Sequence, residues 1–398
     1  MSAPLPRPVG GCWSDAGRCA LSRVNKECGG GDVLPAFCAP AQPTALSSSG
    51  IPETLSVFNL NVAEGAGVDR SLLTEKGRAV AAVVAEGGYD LACLQEVWDE
   101  GERAALVEDL GAAGLVHHVE QRLAGLVIAS RHPIVRCASA PFETESFGAT
   151  LEAFTGKGVL GALVDVGGGA LVYAFVTHMA AFSDNSGSAV QLTNIRDLMN
   201  QAVSEAAGVY QAERIGVVLM GDMNLNAGRA EDYQVLVDGL GGSTAVRDLH
   251  VEEHGDWSTW RDNTDVIGMS MVCAPGAELR WGNFSAGACP DSGVMLREPS
   301  LLDYIIAIDS LPDHALGSLA TLEATENEVL SHRSDEYTWL GYGADMTSDS
   351  LSDHQARAVV LHHPYLLPPA PPNMASSKAV ARAAVGWLAP LLAACALL

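Results

Sequence analysis

Basic residues are scarce in this chain. Its 398 residues hold 23 Lys and Arg against 48 Asp and Glu, a formal charge of −25, and only four of the basic residues are lysines. A polyanion is usually held through several Lys or Arg contacts to phosphate, and a surface this acidic repels one over about a Debye length. Nucleic acid is therefore disfavoured as a partner, and docking to anionic lipid gains no help. Divalent cations, by contrast, are attracted. Zinc patterns are missing as well: there is no HExxH sequence and no CxxC pair. The N-terminal "MSAPLPRPVGGCW" lacks the apolar core of an export signal. No internal repeat is visible.

What is present suits a globular protein. A hydrophobic content of 48% with 18% charged residues is that of a folded chain, long enough for one large core or two smaller ones. Four of the nine cysteines, Cys12, Cys19, Cys28 and Cys38, crowd the N-terminus between Gly-rich spacers. They read as a disulfide-stapled cap, which needs an oxidising compartment; a zinc site is the rival reading. Cys273 and Cys289 are placed to close a loop, Asn283-Phe284-Ser285 is a glycosylation sequon, and Cys93 and Cys137, in apolar stretches, are expected as core thiols.

The chain divides into four parts. Residues 1–50 are the cysteine-bearing cap and a linker, 51–365 the main folded domain, 366–378 a Pro/Ser linker, and 379–398 an apolar tail, "AVARAAVGWLAPLLAACALL". As a helix the tail would be about 30 Å long, enough to cross a bilayer core. The small residues Ala375, Ser376 and Ser377 ahead of it also fit a lipid-anchor signal. Both readings place the protein at a membrane, and an amphipathic or buried terminal helix is the plain alternative.

Within the domain, "TLSVFNLNV", "YDLACLQEV", "GLVIAS", "GVLGALVDV", "ALVYAFVTH", "IGVVLMGDMN", "LLDYIIAI" and "ARAVVLHH" have the apolar runs of buried strands. Helical spacing predicts helices over 69–86, 188–207 and 230–240. The pattern is that of an α+β layered fold, two sheets with helices outside.

Polar residues recur where the apolar strands end. Asn59 interrupts the first strand; Glu96, His178 and the pair Asp222 and Asn224 close others; Asp303 opens another; and Asp353 and His354 precede the last. Each has an ordinary explanation alone, such as a bulge, an Asx turn or a core histidine. Together, at strand ends where loops gather and ligands bind, they point to a site. Their chemistry suits phosphoester hydrolysis with magnesium, which needs one or two carboxylates plus substrate phosphate. Glu96 and the amide of Asn59 are the candidate ligands, His354 the candidate base, and Asp303 its orienter. Asp222 and Asn224 would position water, and His178 would bond a phosphoryl oxygen.

The motifs "FN", "LQEV", "TH", "GDMN", "LDYI" and "SDH", in that order from about Thr54 to His363, resemble the endonuclease/exonuclease/phosphatase superfamily. The resemblance implies a DNase I-like, four-layer α/β sandwich with a magnesium site at one sheet edge. It assigns Asn59 and Glu96 to the metal, and Asp222, Asn224, His178, Asp303 and His354 to catalysis, with Asp353 beside the base. "FTGKGVLGALV" and "SDHQA" are similar to the neutral magnesium-dependent sphingomyelinases, which makes Lys157 a substrate-binding candidate. "LMGDMNLN" and "LLDYII" depart from the inositol-polyphosphate phosphatases. The reading is a phosphodiesterase that cleaves a membrane phospholipid, sphingomyelin first, in a membrane-associated, extracellular or secretory setting; a nuclease is the alternative. Trp257 and Trp260 of "DWSTW" are candidates for a choline contact or for ordinary packing.

Overall fold

A computed structural model describes residues 36–38, 46, 54–62, 70–142, 156–181, 185–255, 302–311, 318–330, 352 and 356–366, with six short strand segments between 271 and 348. The first sheet is built from β2 (Leu55–Asn61), β3 (Leu91–Gln95), β4 (His117–Gln121), β5 (Leu126–Ser130) and two late strands, while β1 (Ala36–Cys38), β6 (Ile134–Pro141), β7 (Gly158–Gly167), β8 (Ala170–His178), β9 (Ile215–Asp222), β10 (Val246–Asp248) and β11 (Asp303–Ile308) form the second. The late strands of the first sheet are β12 (Glu323–Leu330) and β13 (Ala356–His362). The first sheet runs β12-β13-β2-β3-β5-β4 and the second β1-β6-β7-β8-β9-β11-β10.

Antiparallel pairing dominates, with one parallel pair in each sheet, β2 with β3 and β8 with β9. A parallel pair needs a crossover, and a helix supplies it each time. These are α1 (Arg70–Gly87), between β2 and β3, and α3 (Asn185–Tyr210), between β8 and β9. Between them in the chain lies α2 (Glu100–Ala112), and α4 (Ala230–Gly239) and the short α5 (Leu249–His254) follow.

The alternating direction of side chains along a strand sorts the core into three slabs. Val57, Leu91, Cys93, Ile128, Leu160, Val172, Val176, Val218, Met220 and Val359 meet between the sheets. Phe58, Leu60 and Leu94 face outward onto Val80, Val84, Leu106 and Leu110 of α1 and α2. Tyr173, Phe175, Val217 and Leu219 face Leu192, Ile195 and Leu198 of α3 and Leu236 of α4. The result is the expected four-layer α/β sandwich, two β-sheets flanked by helices. Because both faces of each sheet are covered, the strands read as continuous apolar runs.

Three expected helices form at nearly their expected bounds. Others were not anticipated. α2 carries its own start signal: Asp99 caps it by accepting from the backbone N–H groups of Gly101 and Glu102, with Glu100 and Glu102 in the first turn. The strand β12, "EATENEVL", is too polar to read as a strand; it is an edge strand with an irregularity between Thr325 and Glu328.

Cys93 is a free, buried thiol as expected, and burial pushes its pKa up. Cys137 corrects the expectation of a core thiol, for it is disulfide-bonded. In the β1–β6 register it stands opposite position 38. The other N-terminal cysteines, Cys273 and Cys289, Asn283, Trp257 and Trp260, most of the linker and the 379–398 tail lie outside the described residues. Among the described residues no helix is long and apolar enough to cross a membrane.

Candidate active site

Both parallel pairs deliver their carboxyl ends to one edge of the sandwich, where ligands bind in open α/β sheets. Asn61 ends β2 and Glu96 follows β3; His178 ends β8 and Asp222 ends β9. On the second sheet His178, Asp222 and Asp303 form one row across three adjacent strands, with Asp222 paired to both. All three are buried. Two carboxylates directly opposite each other repel, so the Asp222–Asp303 pair favours a cationic or proton-donating neighbour.

The two sheets meet through Asn61. Its Nδ2 donates to Glu96 Oε1 at 3.1 Å and to Asp222 Oδ2 at 3.0 Å. Glu96 is held at φ +58°, a left-handed conformation that costs a non-glycine residue about 1–3 kcal/mol and marks functional sites. Its Oε1 lies 3.7 Å from His178 Nε2, and Asp222 Oδ2 lies 3.4 Å from the same atom. Lys157 Nζ is closer still, 2.6 Å from Nε2 and 3.2 Å from Nδ1. A buried cation thus sits beside the imidazole and the acidic pair.

Lys157 reaches this place because glycine flanks it on both sides. Gly156 has φ +56° and passes so close to the backbone of Leu123 that a Cβ would lie 2.3 Å from the Leu123 oxygen. A Cβ on Gly158 would meet the Ala140 oxygen at 2.5 Å. "GKG" is therefore a tight strand approach in which the lysine alone carries a side chain.

Asn224, at φ +50°, closes the ends of β8 and β9. Its N–H donates to Asp222 Oδ1 at 2.9 Å, and its Nδ2 to the Met179 carbonyl at 2.8 Å. The Asx turn weighed from the sequence exists, and it also fixes the Asp222 carboxylate.

Asn59 is two residues short of the rim. Its Oδ1 accepts from Gln95 Nε2 at 2.9 Å, and it pairs across the sheet with Arg357. Arg357 Nη1 lies 3.2 Å from His250 Nδ1. Burial, the Arg357 cation and His254 push the His250 imidazole down to about 3. Asn59 therefore belongs to a polar layer beneath the site, while Asn61 reaches Glu96 and Asp222. The period of two places both asparagines on the inner face, and Asn61 is the nearer to the strand's end. Asp353 and His354 lie outside the described residues. Their neighbour Ser352 is buried, and its hydroxyl donates to the Asn61 carbonyl, which places Ser352 at the same edge.

The family model described as "Endonuclease/Exonuclease/phosphatase family" matches residues 57–354. The chain belongs to the endonuclease/exonuclease/phosphatase family. Its fold is the phosphodiesterase fold of that family. Similar solved structures include sphingomyelinase C from Streptomyces griseocarneus, 18% identical with a TM-score of 0.52, over 77% of this chain and 99% of that one. The SmcL structure is 17% identical with a TM-score of 0.53, over 78% of this chain and 99% of that one. D. rerio TDP2 complexed with single strand DNA product is 14% identical with a TM-score of 0.48, over 78% and 100%. No curated protein sequence matches the chain.

Proposed function

We propose that the protein is a magnesium-dependent phosphoric diester hydrolase that cleaves a membrane phospholipid, sphingomyelin to ceramide and phosphocholine. The observation that carries the hydrolase reading is one juxtaposition. Lys157 and His178 form a donor-bearing corner directly beside the carboxylates of Glu96 and Asp222, so a phosphate and a cation find complementary charge within one small site.

The donor set fits magnesium. The acidic groups offer the oxygen ligands that magnesium prefers, and magnesium retains waters and shares substrate oxygens, so one or two carboxylates suffice. When bound it would neutralise charge developing on the phosphoryl group. Glu96 would hold it, with Asn61 orienting that carboxylate toward Asp222. Lys157 donates to a phosphoryl oxygen, Asp222 and Asn224 position the attacking water, and Asp303 orients His354, which accepts the water's proton. His178 assists at the phosphoryl oxygen or the leaving group.

Lipid is favoured over nucleic acid by the charge of −25 and by the apolar tail, which would hold the site at a lipid surface. The name of the Streptomyces griseocarneus enzyme is a reason to test sphingomyelin first. The test offers sphingomyelin vesicles and supercoiled plasmid to the full chain under the same magnesium conditions. Phosphocholine release without nicking is expected. Nicking without phosphocholine release would replace the lipid reading with a nuclease.

A further inference from the structure

Glu96 is kept in a strained backbone conformation, and the loop that follows it, Val97 to Asp99, is gripped from outside the site. Arg103 lies on the buried face of α2 in line with Leu106 and Leu110, where an apolar residue would be ordinary. Its Nη1 donates to two consecutive carbonyls, Val97 at 3.2 Å and Trp98 at 3.3 Å. Its Nε donates to Glu120 Oε2 on β4 at 3.0 Å, and only 3% of its side chain is exposed. On the other side of the loop the Val97 N–H donates to the Gly125 carbonyl at 2.9 Å. The Trp98 ring lies so close to Gly125 that a Cβ there would sit 2.8 Å from it. The peptide units just after Glu96 are thus tied to α2 and to the β4–β5 connection.

We propose that Arg103 is a positioning residue for the metal-binding carboxylate: its guanidinium bridges Glu120 and the Val97 and Trp98 carbonyls, and so locks Glu96 in its left-handed conformation facing Asn61 and Asp222. The proposal rests on the reading of Glu96 as a magnesium ligand. A guanidinium is suited to the task because its planar fork fills three acceptors at once, which an ammonium on a flexible stem cannot do in the same geometry. Glu120 is kept ionised to receive it: burial raises its pKa, but His118, Arg103 and Arg122 together outweigh that and hold it below the usual glutamate value. Without the bridge the loop is free to relax out of its strained conformation, and the carboxylate moves off the site.

The probe is Mn2+ binding to the full chain, read from the free-ion electron paramagnetic resonance signal and by calorimetry, so that no substrate is involved. Arg103→Met is expected to bind Mn2+ about tenfold or more weaker, the usual size of an outer-shell loss, while circular dichroism shows it folded at the assay temperature. Leu110→Ala, on the same helix face but away from the loop, is expected to lower the melting temperature and leave Mn2+ affinity within about twofold of wild type. Should Arg103→Met not fold, Arg103→Lys decides; it keeps the charge but loses the fork, and binding about threefold or more weaker is expected. Affinity within twofold of wild type in the deciding Arg103 variant overturns the proposal. A wild-type chain that binds no Mn2+ overturns the metal reading and this proposal together. A chain that binds Mn2+ but releases no phosphocholine removes the substrate reading alone.

Discussion

Lys157 Nζ lies 2.6 Å from His178 Nε2, and both side chains are buried. An ammonium only donates, so the imidazole accepts at Nε2 and carries its own proton on Nδ1. That assignment is inferred from the hydrogen bond, as histidine tautomers must be. It rules out a simultaneous hydrogen bond from Nε2 to Asp222, 3.4 Å away. In this geometry Lys157 is the donor of the pair and His178 the acceptor.

Lys157→Met should therefore lower turnover by about 10²-fold, the size of losing one preorganised donor to a developing charge. The measurement is kcat on detergent-dispersed substrate at saturating magnesium. Turnover within a factor of two of wild type would reduce Lys157 to a packing residue.

The two asparagines of "NLNV" should separate cleanly. Asn61→Ala removes the donor shared by Glu96 and Asp222, and Glu96→Gln replaces a carboxylate ligand with a neutral amide; both should raise the half-saturating magnesium about tenfold or more, with partial rescue by excess metal. Asn59→Ala leaves the Gln95 amide N–H short of its acceptor, which costs about 1–3 kcal/mol of stability. The magnesium response should not move. A magnesium titration of the three variants beside their melting temperatures checks this, and equal shifts for Asn59 and Asn61 would return Asn59 to the site.

His354→Ala should cut turnover by about 10²–10⁴-fold, the range for a lost general base, and leave Mn2+ binding nearly unchanged. Asp303→Asn should produce a milder loss by mis-setting the imidazole. Near-native turnover of His354→Ala at neutral pH would transfer the base to another group.

The candidate site was legible because strand periodicity is simple. Val176 and His178, like Met220 and Asp222, share the inner face of their strands, so a polar residue following apolar inner-face neighbours marks the rim. The same rule does not say how far along the strand the rim lies, and for that reason Asn59 stood out ahead of Asn61. The layer of Gln95, Arg357 and His250 was hidden for a different reason. Arg357 sits in an apolar strand and His250 in a short helix 107 positions earlier, and only the packing of α5 brings them within 3.2 Å. The hold of Arg103 on the Glu96 loop depends likewise on a tertiary contact between α2 and β4, which no local spacing announces.

Two buried imidazoles set a pH dependence. Burial pushes His363 down to about 4, against the pull of its bond to the Arg214 carbonyl, and His250 sits at about 3. Both are neutral when folded, whereas unfolded histidine binds a proton below about 6.5. Their contribution to stability is therefore complete above pH 6.5. It is lost as pH falls, until about 4 for His363 and about 3 for His250. His363→Gln can keep the acceptor for the Tyr365 N–H and a donor for the Arg214 carbonyl, and should flatten the slope. Melting temperatures from pH 4.5 to 8 decide it; an unchanged slope in the variant assigns the acid sensitivity elsewhere.

β1 adds only three residues to β6, its position 38 pairs with 137 in the register, and Cys137 is disulfide-bonded. A bridge between these positions closes a loop of about 100 residues, for which the chain-entropy model gives about 4–5 kcal/mol. Such bonds form and persist chiefly in oxidising compartments. Non-reducing tryptic mass mapping should recover a peptide carrying Cys38 linked to one carrying Cys137. Reductant should lower the melting temperature of the wild-type chain, and the Cys38→Ala/Cys137→Ala double variant should start lower and lose that response. A linkage of Cys137 to any other cysteine would free β1 from the clamp. Reductant insensitivity of the wild-type chain would show that the edge strand is held by its backbone pairing after all.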